Sequence, residues 1–217
     1  MAPEFLPHEM VSALSNNDVV VIGRGPNLVD GLNEIPGGIR GKIVVMINEL
    51  DHLTPDVWQD FQLNKASARF HFVNGAETIE QVSFYRERDF SGIIVSYSNS
   101  SDKRAYRSRP RRKLRRVESL GVRPIFGSGE LFEKFSDSFP SNGGLQCILQ
   151  VDELFLPKNI WLVGFNFYKE VNGKLFQGQD QTSDIERRFL IDIGGEIEGR
   201  FAGVIKMVNA RVTKLGY

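Results

Sequence analysis

The chain is poor in the residues that most often announce chemistry. In 217 residues it has one cysteine, Cys147, and three histidines, His8, His52 and His71. One cysteine excludes an internal disulfide, and the apolar neighbours Ile148 and Leu149 predict a buried helical thiol rather than a nucleophile. No Asp-x-Asp triplet occurs, so a common carboxylate bridge between a divalent metal and a diphosphate is missing and no metal site is expected. The longest apolar runs are broken within a few residues, well short of a membrane span, and the amino terminus carries no basic-then-apolar signal. A cytoplasmic protein is expected.

What is present fits a soluble globular chain. Hydrophobic residues make up 41% of it, enough at this length for one substantial core, and neither a linker nor a composition break divides residues 1–217 into two domains. The formal net charge is zero but unevenly spread. Lys103, Arg104, Arg107, Arg109, Arg111, Arg112, Lys113, Arg115 and Arg116 form a run without a single acid. Taking these nine from the 27 basic residues leaves 18 against 27 acids, a net charge of −9 elsewhere. Such a run is either a solvated surface or a docking patch for an anionic partner. The partners expected for Lys103–Arg116 are an anionic membrane, met peripherally at its inner face, or an acidic glycan, with nucleic acid not favoured. Pro110 rules out one continuous basic helix.

Strand-like apolar segments recur at Val19–Ile22, Ile43–Ile47, Arg69–Val73, Ile93–Tyr97, Val122–Phe126 and Ile160–Gly164, with helix-compatible sequence in most intervals. The alternation predicts an α/β fold: a mostly parallel, twisted sheet with helices on both faces. Thr54–Phe61 reads as a helix with Thr54 as N-cap and Pro55 in the first turn. Ala76–Tyr85 and Gly129–Phe135 are further candidates. Leu145, Ile148, Leu149, Asp152 and Leu154 have helical spacing, and Pro157 ends that helix. Ser183-Asp184-Ile185-Glu186 is a capping box. It opens a helix whose apolar stripe is Ile185, Phe189, Leu190 and Ile193, with Gly194 and Gly195 expected to stop it and Phe201–Val208 expected to add a strand.

Two separated stretches read as halves of one ligand site. The first is Val19-Val20-Val21-Ile22 running into Gly23-Arg24-Gly25-Pro26-Asn27-Leu28. A β-branched run of this kind is a strand buried on both faces, and its glycine-bounded turn lies at the carboxyl end, where open α/β sheets bind anions on backbone N–H groups. It is not the dinucleotide fingerprint, because no glycine stands three after Gly25. An ordinary tight strand-to-helix turn has the same composition. The second stretch is Ser141-Asn142-Gly143-Gly144, followed by Trp161-Leu162-Val163-Gly164-Phe165-Asn166-Phe167-Tyr168.

In combination and order these segments resemble the bacterial lipooligosaccharide sialyltransferases, glycosyltransferase family 42, whose sialyl motifs are related to those of family 29. Ile22–Leu28 is similar to the family's Gly-Asn-Gly-Pro-Ser-Leu turn, which holds the cytidine nucleotide. Asn48 and Asn74 stand where the family has asparagines ending its second and third strands, facing the nucleotide sugar. Ser141-Asn142-Gly143 resembles the Thr-Ser-Gly that opens its small sialyl motif, and Gly164-Phe165-Asn166-Phe167-Tyr168 resembles the Gly-Ile-Asp-Phe-Tyr that closes it. The resemblance spans roughly residues 18–195. It implies a Rossmann-like (GT-A-like) nucleotide-binding fold and a metal-independent transfer of a sugar from a nucleotide sugar, CMP-sialic acid in the family, to a glycan acceptor. It also implies that Gly23, Arg24, Gly25, Pro26, Asn27, Asn48, Asn74, Ser141, Asn142, Gly143, Asn166 and Tyr168 line the nucleotide site, with Tyr168 hydrogen-bonding the donor phosphate.

The departures bear on activity. Where the family has its general-base histidine, five residues before a late helix's aspartate, counting back from Asp184 gives Gln179. An amide takes no proton at neutral pH. Asp180 is an alternative base; His71 stands close to Asn74, within conceivable reach, but is better read as a half-buried strand histidine than as a base. Arg24 replaces the turn's asparagine and suits either a phosphate or a structural ion pair. The family's long lid shrinks to Lys169–Gly178. The expected function is therefore weak glycosyl transfer, with a non-catalytic nucleotide- or glycan-binding protein on the same scaffold as the alternative. A third reading, a pyrophosphokinase with a similar glycine turn, would draw on carboxylates such as Asp30 and Glu34.

Overall fold

The computed structural model describes residues 12–47, 50, 52–73, 89–95, 123–126, 142–176 and 183–216. The Lys103–Arg116 run and the candidate helices Ala76–Tyr85 and Gly129–Phe135 lie outside them.

Among the described residues, seven strands form one sheet: β1 (Val19–Ile22), β2 (Ile43–Ile47), β3 (Ala68–Val73), β4 (Gly92–Val95), β5 (Arg123–Phe126), β6 (Asn159–Val163) and β7 (Arg211–Lys214). The order is β5-β4-β3-β2-β1-β6-β7, and every neighbouring pair is parallel. Because β1 pairs with β2 on one side and with β6 on the other, the chain reverses its direction of travel across the sheet between β1 and β6. Every residue of β1, β2 and β3 is buried, as the unbroken β-branched and aromatic runs require when both faces are covered.

The two-residue period of a strand divides this apolar surface into two cores. Val19, Val21, Val45, Phe70 and Leu162 enter one, where they meet Leu145, Ile148, Val151 and Phe155 of α3 (Gly143–Phe155) and Ile197 and Val204 of α4 (Asp184–Ile205). Val20, Ile22, Val44, Met46 and Val163 enter the other, with Leu28 and Leu32 of α1 (Leu28–Asn33) and Val57 and Trp58 of α2 (Pro55–Asp60). Helices thus cover both faces. Each buried Val or Leu is worth about 1.5–3 kcal/mol, so the sheet centre around β1 is the best-anchored part of the molecule.

Local signals place the helix starts. Thr54 accepts a hydrogen bond from the Val57 N–H and Pro55 occupies the first turn of α2. Ser183 caps α4 through the Glu186 N–H. The helix then departs from expectation, running through Gly194 and Gly195 to Ile205. A glycine ends a helix when it takes a left-handed conformation just past the last turn, and neither glycine does so; in a helix interior each costs only about 1 kcal/mol. Phe201–Ile205 is accordingly helical and the last strand is Arg211–Lys214. Nor does the apolar stripe hold throughout: Ile193 packs on the core, but Ile185 and Phe189 are exposed.

Candidate functional site

The turn after β1 and the segment after β6 meet at the carboxyl edge of the sheet, where the strand order reverses. The Gly23 N–H donates to the Val163 carbonyl at 2.8 Å and the Gly25 N–H to the Gly164 carbonyl at 2.7 Å. These contacts explain the glycines. A Cβ on Gly25 would stand 2.5 Å from the Gly164 oxygen, and one on Gly23 would stand 2.7 Å from it. The backbone that comes close to these glycines is that of Gly164, not a ligand. The Gly23 and Gly25 N–H groups are occupied within the fold rather than turned toward an anion.

The start of α3 is part of the same cluster. Phe165 lies against both Gly23 and Gly144, its ring 3.4 Å from a Cβ built on the first and 2.9 Å from one built on the second. Asn142 is the N-cap of α3 and accepts from the Leu145 N–H at 3.1 Å. That leaves the N–H groups of Gly143 and Gly144 as the first-turn donors beyond the cap's reach, at the positive end of a thirteen-residue helix. Deeper in α3, Cys147 is fully buried and burial pushes its thiol well above the ordinary range. This is the packing residue anticipated from its neighbours.

The remaining site residues divide by role. Asn27 is buried; its Nδ2 donates to the Gly216 carbonyl at 2.9 Å, while its Oδ1 has no donor among the described residues. Asn166 is also buried, and its Nδ2 donates to the Lys169 and Leu175 carbonyls. That amide closes a loop, which leaves its donor nitrogen committed to the fold. Phe167 and Tyr168 both adopt left-handed backbone angles, φ +50° and +56°, a conformation that costs a bulky residue energy and persists only when its surroundings enforce it. Gly194 of α4 is one such surrounding: a Cβ there would lie 2.1 Å from the Phe167 carbonyl oxygen.

Tyr168 is half-buried at this edge. Burial raises its pKa, and the nearby Arg24 guanidinium partly offsets the rise. The phenol therefore stays protonated at neutral pH and able to donate. The Arg24 guanidinium sits 5.0 Å from the centre of the Phe176 ring, and Tyr168 meets the same ring edge-on at 6.0 Å. Phe176 is a residue the sequence reading passed over. The signal was Asn172-Gly173, a pair that favours a two-residue hairpin turn. Both take left-handed angles, and Val171 and Lys174 exchange backbone hydrogen bonds across the turn.

Gly23, Arg24, Gly25, Pro26, Asn27, Asn142, Gly143, Asn166 and Tyr168 are thus gathered at one edge. Asn48, Asn74, Ser141, Gln179 and Asp180 lie outside the described residues; β2 and β3 end at Ile47 and Val73, on that same edge. His71 is fully buried, facing Phe90 on the sheet face covered by α1 and α2, which accounts for it as a core residue. Asp30 is exposed, and Glu34 accepts from the Gly216 N–H. The donors at this edge are a half-buried guanidinium, a protonated phenol and two helix-start N–H groups, the kinds of group that bind anions by charge-assisted and neutral hydrogen bonds. Among the described residues, no His, Cys, Asp and Glu cluster could hold a metal ion, and no helix is long and apolar enough to cross a membrane. No protein-family profile, curated protein or solved structure matches the chain.

Proposed function

We propose that this chain binds a nucleotide sugar in the crevice between the β1 and β6 loops and transfers the sugar to a glycan acceptor, in the manner of the sialyltransferases its motifs resemble. The observation that carries the reading is the meeting of two motifs, more than a hundred residues apart, at the point where the strand order reverses. In open, Rossmann-like parallel sheets that crevice is where nucleotides bind. Arg24, Tyr168 and the Gly143–Gly144 amides would hold the donor phosphate and stabilise it as it departs, without a metal. The acceptor hydroxyl would attack in line, opposite the leaving nucleotide, and give its proton to Asp180 or, less efficiently, to solvent beside Gln179.

The glutamine at the position of the expected base favours a second reading, a binding protein that keeps the pocket and has lost catalysis. Calorimetric titration with CMP, UMP and GMP, followed by a transfer assay with CMP-sialic acid, separates the two. Nucleotide binding with turnover supports the transferase, binding without turnover supports the binding protein, and no binding by any of the three nucleotides refutes the transferase and leaves a glycan as the binding protein's ligand.

A further inference from the structure

The hairpin after Tyr168 carries an aromatic residue to which neither the motifs nor the resemblance gives a role. Asn166 ties its two ends together through the Lys169 and Leu175 carbonyls. Its tip turns at Asn172-Gly173. Its outer strand is fixed to α4: Arg187 pairs with Glu170 and donates to the Gly173 carbonyl, and Lys169 pairs with Glu198. Leu175 is fully buried at its base. What this scaffolding presents is Phe176, whose ring receives the Arg24 guanidinium on its face and Tyr168 at its edge.

We infer that Phe176 is a positioning residue for phosphate recognition: its ring fixes Arg24 beside Tyr168, so that the short hairpin sets the charge that grips the donor's phosphate. This rests on the proposed nucleotide site. A long arginine side chain loses considerable rotamer freedom when it is held in one place, and an aromatic face that already orients it removes part of that cost before ligand arrives. The guanidinium is planar and its edge carries the N–H groups, so an arginine held over a ring can keep those groups for an anion. The ligand class that follows is a nucleotide bearing at least one phosphate, distinguished from the bare nucleoside by this charge.

The test is calorimetric titration of the full chain with CMP and with cytidine, at low and at physiological salt, for wild type, Phe176→Leu and Phe176→Trp. Leucine keeps apolar bulk and removes the π face; tryptophan keeps the face. Phe176→Leu should bind CMP about three- to tenfold more weakly, with a shallower salt dependence and unchanged cytidine affinity, and Phe176→Trp should restore the wild-type values. Unaltered CMP affinity and salt dependence in Phe176→Leu would overturn the assignment, as would a loss shared equally by cytidine or one that tryptophan fails to restore. Wild type that binds CMP with normal Phe176→Leu behaviour refutes the inference alone; wild type that binds no nucleotide refutes the site it depends on.

Discussion

Three glycines of α4 look alike in sequence and should respond to alanine with opposite signs. Gly194, Gly195 and Gly199 all sit in the helix interior, where replacing glycine with alanine gains about 0.5–1 kcal/mol from backbone entropy and helix propensity. At Gly195 and Gly199 a Cβ meets nothing within 4 Å, so that gain should appear in full. At Gly194 the Cβ would stand 2.1 Å from the Phe167 carbonyl oxygen and 3.2 Å from its carbon. Both are backbone atoms of a residue already in a left-handed conformation, and neither can rotate away. Overpacking of this kind costs about 1–3 kcal/mol or more, which outweighs the propensity gain. Urea unfolding at unchanged m-value should therefore place Gly195→Ala and Gly199→Ala above wild type and Gly194→Ala below it by about 1–2 kcal/mol. In thermal unfolding each kcal/mol corresponds to roughly 2–4 °C for a chain of this size. Because Phe167 precedes Tyr168, Gly194→Ala alone should also weaken nucleotide binding. A Gly194→Ala protein as stable as Gly195→Ala would refute the packing argument.

Tyr168→Phe should weaken CMP binding by about 1 kcal/mol, the value of one neutral hydrogen bond, in a calorimetric titration; unchanged affinity would remove Tyr168 from the site. Asn142→Ala should destabilise the protein by about 1 kcal/mol in urea through loss of the α3 cap. Alkaline pH should lower stability, since Cys147 and Tyr168 have folded-state pKa values raised above their ordinary values of 9.0 and 10.0 by burial. Their stabilising effect is complete below those ordinary values and is lost as pH climbs toward the raised ones, because the unfolded chain releases these protons first. Cys147→Ala should remove part of that decline in unfolding curves taken above about pH 9. Gln179→His should raise transfer from CMP-sialic acid by about 10²–10⁴-fold if it restores general-base assistance; a fast wild type that Asp180→Asn abolishes would instead make Asp180 the base.

The strands were legible because burial on both faces leaves little room for polar residues. Val19–Ile22 and Ile43–Ile47 are bounded in the structure as the apolar runs predict, and the capped helix starts at Thr54 and Ser183 follow from local hydrogen bonding. What failed was whatever depends on a distant neighbour. Gly194 reads as a stop in isolation, and only the Phe167 carbonyl packed against it explains why glycine stands inside a helix. Ile185 and Phe189 keep a helical period yet are exposed. The turn glycines read as an anion-binding turn, but their N–H groups bond the Val163 and Gly164 carbonyls, partners that local sequence does not identify. Phe176 was missed because its role exists only through Arg24 and Tyr168, and no periodicity marks a residue that acts from a hairpin.

Amide hydrogen exchange with and without saturating CMP, UMP or GMP tests most directly whether a nucleotide occupies the β1/β6 crevice. One nucleotide should slow exchange at the Gly143 and Gly144 amides and across Gly164–Tyr168, while the amino-terminal edge of the sheet near Asp18 and Asn159 stays unchanged. Exchange that no nucleotide alters, or protection confined to that opposite edge, would contradict it.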